Sequence, residues 1–333
     1  MIHRLKEYIL DNWKDLIGDQ PPLKRLSYIL LTNKDTRSFF VTLLVFLKGG
    51  NFPVLSVKIP RFPGEDAPLI TGFNNLKEIR RSLPNSLRDA LPIPISMVHL
   101  GGRSVVFERP FPGITLSLSI KIAHGDISQP FIDKKFEIVG DWLSAFIKET
   151  TRKRVFVNHE RIQRYVMGIL EDYSNFFLTS TKERDFLNYL TKLMDTLSTH
   201  QIPLSFIHGD LTPHNISFND GRLCVFNWEH SRDFSCSLYD IFDFFTYVTF
   251  MIFHNRFHPI NPLRGVFTFG GRKQPLRKFV QKVMENSDIN LKLMEFFYPV
   301  YLMEKAVSQR NVNGNIWQQT LFFFLENRNK FHF

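Results

Sequence analysis

Residues 206–229 read FIHGDLTPHNISFNDGRLCVFNWE and concentrate side chains able to do chemistry. His208, Gly209, Asp210 and Asn215 precede a turn made of Asn219, Asp220, Gly221 and Arg222, and Asn227 and Glu229 follow it. Asp-Gly between two short apolar runs predicts a β-hairpin, which folds its own ends together. Counting outward from Asp220-Gly221, antiparallel pairing sets Asn215 beside Phe226 and Asn227, with Asp210 at the same open end. Oxygen-bearing side chains grouped in this way suit a magnesium ion, which takes a few protein oxygens and completes its shell with water and phosphates.

The elements that must position this segment can be read on either side of it. Ile2, Leu5, Ile9, Trp13 and Leu16 recur at helical spacing before Pro21 and Pro22 break the pattern. SYILLTN, FFVTLLVFLKGG and PVLSVKIPR are three apolar, β-branched runs separated by NKDTRS and GGNFP, which predicts a three-strand meander. From Phe73 onward, Leu76, Ile79, Leu83 and Leu87 predict a helix, with Pro84 as a break near its end. ISMVHL, a GGR turn and SVVFE make a further hairpin that ends at Glu108, and RPFPG has the composition of a connector. Helical patterns dominate after it, over Lys134 to Thr150, Arg161 to Phe176 and Glu183 to Thr199. Strands first and helices after is an α+β arrangement.

Asp210 lies five residues before Asn215, the offset between the catalytic Asp and the metal-binding Asn of a kinase catalytic loop. HGDLTPHN followed by FNWE, with VLSVK upstream and the SLYDIFDF helix downstream, resembles the aminoglycoside phosphotransferase and choline kinase group of the protein-kinase-like superfamily. The resemblance implies a bilobal protein-kinase-like fold. Residues 1–108 would form a small antiparallel-sheet lobe that binds nucleotide, and 109–333 a larger, mainly helical lobe holding the catalytic loop 206–229. It also implies ATP or GTP with magnesium as cofactors and a small-molecule hydroxyl as phosphoryl acceptor: a sugar, an amino alcohol or an antibiotic-like compound.

Carried over residue by residue, the resemblance makes Asp210 the base that orients the acceptor hydroxyl and accepts its proton, and His208 the brace of the loop. Asn215 becomes a metal ligand, and Asp240 a structural acid on the following helix. Lys58, at the end of VLSVK, would bridge the α and β phosphates, and backbone groups of Glu108 and Arg109 would meet adenine. Glu78 is the only acid in the core of the first-lobe helix and so the candidate partner of Lys58; a competing register places Gly72, just before Phe73, at that position. The chain departs from the pattern at Asn227, where the group has a metal-chelating Asp. The amide oxygen can still coordinate, with Glu229 as a substitute ligand, but one negative charge is gone. At an effective dielectric of about 20, a charge pair at about 4 Å is worth roughly 4 kcal/mol, about three decades in rate. The alternative reading is therefore a catalytically silent, nucleotide-binding or regulatory module.

Composition narrows the field without choosing a substrate. The chain has 44% hydrophobic and 22% charged residues, which excludes a disordered or coiled-coil protein. Forty-two Lys plus Arg against 32 Asp plus Glu gives +10, favouring phosphorylated or acidic partners and disfavouring a polycationic acceptor. Two cysteines, Cys224 and Cys236, make neither a disulfide framework nor a four-ligand zinc site, so a reducing cytoplasm is expected. The amino terminus lacks the apolar core of a signal peptide, and Leu238 to Phe253 contains Asp240 and Asp243 and is too short to cross a bilayer. Basic residues at 152–154, 161 and 164, and at 264, 272, 273, 277 and 278, read as solvated faces, which leaves peripheral membrane contact open; nucleic acid is not expected as a partner. A second HGD, His124 to Asp126, has Phe131 where an Asn should stand and reads as an ordinary turn.

Overall fold

Leu5, Ile9, Trp13 and Leu16 are buried as their spacing predicts, and together they cover one face of a β-sheet. They lie on two successive helices, α1 (Ile2–Asp11) and α2 (Trp13–Ile17), interrupted where the Asn12 side-chain amide and backbone N–H both donate to the Tyr8 carbonyl. The computed structural model describes residues 1–18, 26–31, 40–123, 129–177, 180–253, 274–310 and 316–327. The NKDTRS turn, the second HGD, Arg264, Arg272, Lys273 and residues 328–333 lie outside them.

The sheet contains the expected meander, β1 (Leu26–Leu31), β2 (Phe40–Leu47) and β3 (Pro53–Pro60), and the expected hairpin, β4 (Ile93–Leu100) and β5 (Arg103–Arg109). Its order is β1-β2-β3-β5-β4, with antiparallel neighbours throughout. Side chains alternate across a sheet with period two. Val105 and Phe107 therefore pack with α1 and α2, while Val106 meets Leu69 and Phe73 of helix α3 (Ala67–Ser82) on the other face. Lys58 is paired with Val106 across the β3–β5 ladder, and Glu108 follows Val106 by two, so both belong to the α3 face. Helix α3 starts before Phe73 because Pro68, in its first turn, pre-sets a helical φ. Pro84 then ends it, and Leu87 falls on the short helix α4 (Asn85–Arg88).

The chain groups into two compact units that are not continuous in sequence. The first comprises Met1–Thr115, His208–Asp210 and Asn215–Arg232; the second comprises Leu116–Ile207, Leu211–His214 and Asp233–Phe333. The hairpin, expected with the helical lobe, groups with the first unit for physical reasons. Strand β6 (Ile114–Thr115) adds to its edge, with Ile114 opposite Phe218, and the Val225 N–H donates to the Ala90 carbonyl at 2.8 Å.

The second unit is mainly helical, with α5 (Leu116–Ile122), α6 (Pro130–Thr150), α7 (Glu160–Phe177) and α8 (Thr181–Thr196). The last of these opens on a capping box between Ser180 and Glu183. A small sheet of β7 (Lys153–Phe156), β8 (Gln201–Ile207) and β11 (Arg232–Cys236) was not foreseen from sequence. Helix α9 (Leu238–Phe253) is buried, and its Asp243 accepts from Tyr301 at 2.7 Å and pairs with Lys305 at 2.8 Å. Asp240 is likewise buried in the first turn of that helix. Part of the first basic cluster has internal partners: Arg152 pairs with Asp233, Arg154 donates to the Ser287 carbonyl, and Arg161 lies over the Phe234 ring. Among the described residues no helix is long and apolar enough to cross a membrane.

Candidate active site

Strand β9 (Ile216–Asn219) and strand β10 (Arg222–Val225) pair from Asn219↔Arg222 to Ile216↔Val225. Asp220 and Gly221 both have positive φ, at 48° and 78°, as a two-residue turn matched to the strand twist requires. At the open end the Phe226 N–H donates to the Asn215 carbonyl at 3.0 Å. Beyond it the side chains form a chain. Asn215 Nδ2 donates to the Asp210 carbonyl and to Asp210 Oδ2, both at 2.8 Å, and Asn227 Nδ2 donates to Asn215 Oδ1 at 2.8 Å. Asn227 has φ 70° and ψ 68°, a left-handed conformation that Asn and Asp adopt more readily than other side chains.

His208 fastens this chain from behind. Its Nε2 meets the Phe226 carbonyl at 3.0 Å, and its Nδ1 accepts from the Asp210 N–H at 3.2 Å. One nitrogen donates and the other accepts, which is the neutral imidazole. Burial drives its pKa down to about 3, and the nearby charges of His230 and Lys58 act in the same direction. The Trp228 ring meets the imidazole edge-on at 4.7 Å between centroids, and its Nε1 donates to the Val225 carbonyl. Gly209, at φ 79°, admits no side chain, because a Cβ there would come within 2.2 Å of the His230 carbonyl oxygen.

A second cluster surrounds Lys58. Its Nζ lies 2.9 Å from Glu229 Oε1 and 3.4 Å from Glu108 Oε1, all three side chains are buried, and the Phe40 ring stands 5.1 Å away. Burial alone would lower the Lys58 pKa, but the two carboxylates raise it above the ordinary lysine value, so the ammonium stays charged. Glu108 is pushed up by burial, with the Glu229 charge adding and the Lys58 charge opposing.

This geometry corrects one expectation and gives the residues of two others further partners. Glu78 is exposed on α3 and is not the partner of Lys58, because the face of the helix toward the Glu229 segment presents Gly72. Glu229, read from sequence as a substitute metal ligand, has its Oε1 on Lys58 Nζ. Glu108 and Arg109 close strand β5, opposite Pro94 and Ile93 of β4, and Glu108 also adds a carboxylate beside Lys58. Sequence reasoning missed Phe40 and Asn75. The latter donates to the Ser231 carbonyl at 2.9 Å and to Ser231 Oγ at 3.1 Å, and no local signal in the sequence marks either residue.

Among the described residues, no group of three His, Cys, Asp or Glu gathers to hold a metal ion. The oxygens available at the open end of the hairpin are the Asn215 and Asn227 amides and the Asp210 carboxylate. That set fits a divalent cation whose charge is balanced mainly by phosphates, rather than one held by protein carboxylates.

No protein-family model and no curated protein matches the chain. Solved structures do. Glucosamine kinase in complex with glucosamine, ADP and inorganic phosphate has a TM-score of 0.56 at 12% identity, covering 91% of this chain and 83% of that one. A thermostable mutant of the aminoglycoside phosphotransferase APH(4)-Ia, in ternary complex with AMP-PNP and hygromycin B, has 0.58 at 13% identity, covering 97% of both chains. Amicoumacin kinase hAmiN in complex with AMP-PNP, Ca2+ and Ami has 0.51 at 12% identity, covering 98% and 96%. The chain has the fold of these protein-kinase-like phosphotransferases, as its HGD and NWE segments led one to expect.

Proposed function

We propose that the protein is a phosphotransferase that moves the γ-phosphate of ATP, or of GTP, to a hydroxyl of a small molecule: a sugar, an amino alcohol or an antibiotic-like compound. Nucleotide and acceptor are its partners, no nucleic acid is needed, and the cytoplasm supplies the nucleotide. The observation that carries this reading is the hydrogen-bonded chain Asp210–Asn215–Asn227, braced by neutral His208 and lying two residues before the Glu229 that meets Lys58. The likeness in fold to small-molecule kinases supports it.

Phosphoryl transfer needs placement and charge neutralisation more than covalent help. Asp210 accepts the acceptor's O–H as a hydrogen bond. As the new O–P bond forms and the bond to the leaving diphosphate breaks, the hydroxyl proton passes to the Asp210 carboxylate. Asn215 fixes the orientation of that carboxylate through Oδ2. Lys58 presents a permanent positive charge to the phosphates. Asn215 and Asn227 would hold a magnesium ion, which when bound supplies the charge neutralisation that two amides lack.

The test is ATP binding and turnover, with and without magnesium, on wild type, Asp210→Ala and Asn227→Asp. Metal-dependent stabilisation of the wild type by ATP, with turnover about 10² to 10⁴ lower in Asp210→Ala, fits the proposal. A silent module has one observation in its favour: Asn227 points an amide donor, not an oxygen, at Asn215. No nucleotide effect in wild type, with a gain in Asn227→Asp, would establish that second reading.

A further inference from the structure

We infer that Glu229 is the positioning residue for Lys58, taking the place of a helix carboxylate, so that the phosphate-facing cation is set by the same short turn that bears Asn227. The inference rests on the nucleotide reading above, and it concerns a residue that sequence had assigned to metal.

Three observations converge on it. The ammonium of Lys58 has its closest carboxylate oxygen at 2.9 Å on Glu229, a side chain 171 positions away, and both groups are almost fully buried. An ion pair so enclosed fixes position more firmly than a surface pair, which solvent screens and side-chain entropy loosens.

Helix α3 is excluded from that role by its own packing. A Cβ on Gly72 would stand 2.9 Å from Glu229 Cα, 3.0 Å from Glu229 N and 3.1 Å from the Trp228 carbonyl carbon. The helix backbone therefore rests directly on the Trp228–Glu229 peptide and can send no side chain across it. What α3 contributes is a backstop, fastened at the next turn where Asn75 donates to Ser231.

The segment bearing Glu229 is itself held. Trp228 is buried, with its Nε1 bonded to the Val225 carbonyl, and the Ser231 N–H closes the turn onto the Trp228 carbonyl at 3.1 Å. Asn227 and Glu229 flank Trp228 in this 3-10 turn, so one rigid element sends one side chain to Asn215 and the other to Lys58. Glu108, at 3.4 Å on the neighbouring strand, is the competing anchor.

The experiment measures ATP affinity in the presence of magnesium by titration calorimetry. It also measures the KM for ATP and that for the acceptor, on wild type, Glu229→Gln, Glu229→Asp, Glu108→Gln, Lys58→Met and the double variant Lys58→Met/Glu229→Gln. Glu229→Gln is expected to weaken ATP binding and raise the KM for ATP by about tenfold, leaving the acceptor KM unchanged. Glu229→Asp should recover part of the loss, and Glu108→Gln should cost less. In the Lys58→Met background Glu229→Gln should add nothing, because it acts only through the lysine.

ATP affinity within twofold of wild type in Glu229→Gln, or the same further loss on top of Lys58→Met, would overturn the inference. Should Glu229→Gln fail to fold, Glu229→Asp carries the comparison. A wild type that binds no ATP sinks the phosphotransferase reading and this inference with it. A wild type that binds ATP, with Glu229→Gln unaffected, sinks the inference alone.

Discussion

The open end of the hairpin and the surroundings of Lys58 lie in the same compact unit yet are built on opposite principles. At the hairpin, a buried amide, Asn215, links the half-buried Asn227 amide to the half-buried Asp210 through three hydrogen bonds of 2.8 Å, one of them to the Asp210 carbonyl. Around Lys58, three formal charges are enclosed almost completely, with two carboxylates on one ammonium. The first arrangement is local in sequence and carries a single formal charge. The second depends on charge balance in a medium that screens poorly, so removing one member leaves the others exposed to their own desolvation cost.

Lys58→Met should therefore have the largest effect on stability. It strands two buried carboxylates, and chemical denaturation should read a loss of about 3–5 kcal/mol; a loss below about 1 kcal/mol would mean that the cage is open to water. Gly209→Ala attacks the other region. It forces a methyl group against the His230 carbonyl at a φ of 79°, and should cost at least about 2 kcal/mol while abolishing turnover by displacing Asp210.

Acid gives a finer division. The folded pKa of His208, about 3, lies below the unfolded value of 6.5, so on acidification the unfolded chain takes up the proton first. This contribution to stability is complete above about pH 6.5, declines as pH falls, and is gone below about 3. Denaturation of wild type and His208→Gln at several pH values should differ in slope by up to about 1.4 kcal/mol per pH unit below 6.5. Equal slopes would place the charge elsewhere. Smallest of all, Glu78→Ala should change stability by less than about 0.5 kcal/mol and leave ATP binding unaltered, since the carboxylate is exposed on α3.

What could be read from sequence follows the same division. The strand meander, the second hairpin, the Asp220-Gly221 turn and the meeting of Asn215 with Asn227 all rest on period-two patterns, turn chemistry and counting along one segment. The partner of Lys58 could not be found in that way. Glu229 sits 171 residues further on, and in its own neighbourhood it looks like a spare ligand for Asn227. Gly72 was visible as a gap where a glutamate belongs, but only the packing of α3 on Glu229 gives the gap a purpose. The β7–β8–β11 sheet escaped because Lys153–Phe156 is four residues long, too short for alternation to stand out.

The cage around Lys58 also has a sum. One ammonium and two carboxylates leave a surplus negative charge when all are ionised, and Glu108, whose affinity for protons is raised by burial, is the member placed to cancel it. Were phosphates to bind at this lysine as proposed, uptake of a proton by Glu108 would cancel that surplus, and the heat of association would then vary with the ionisation enthalpy of the buffer.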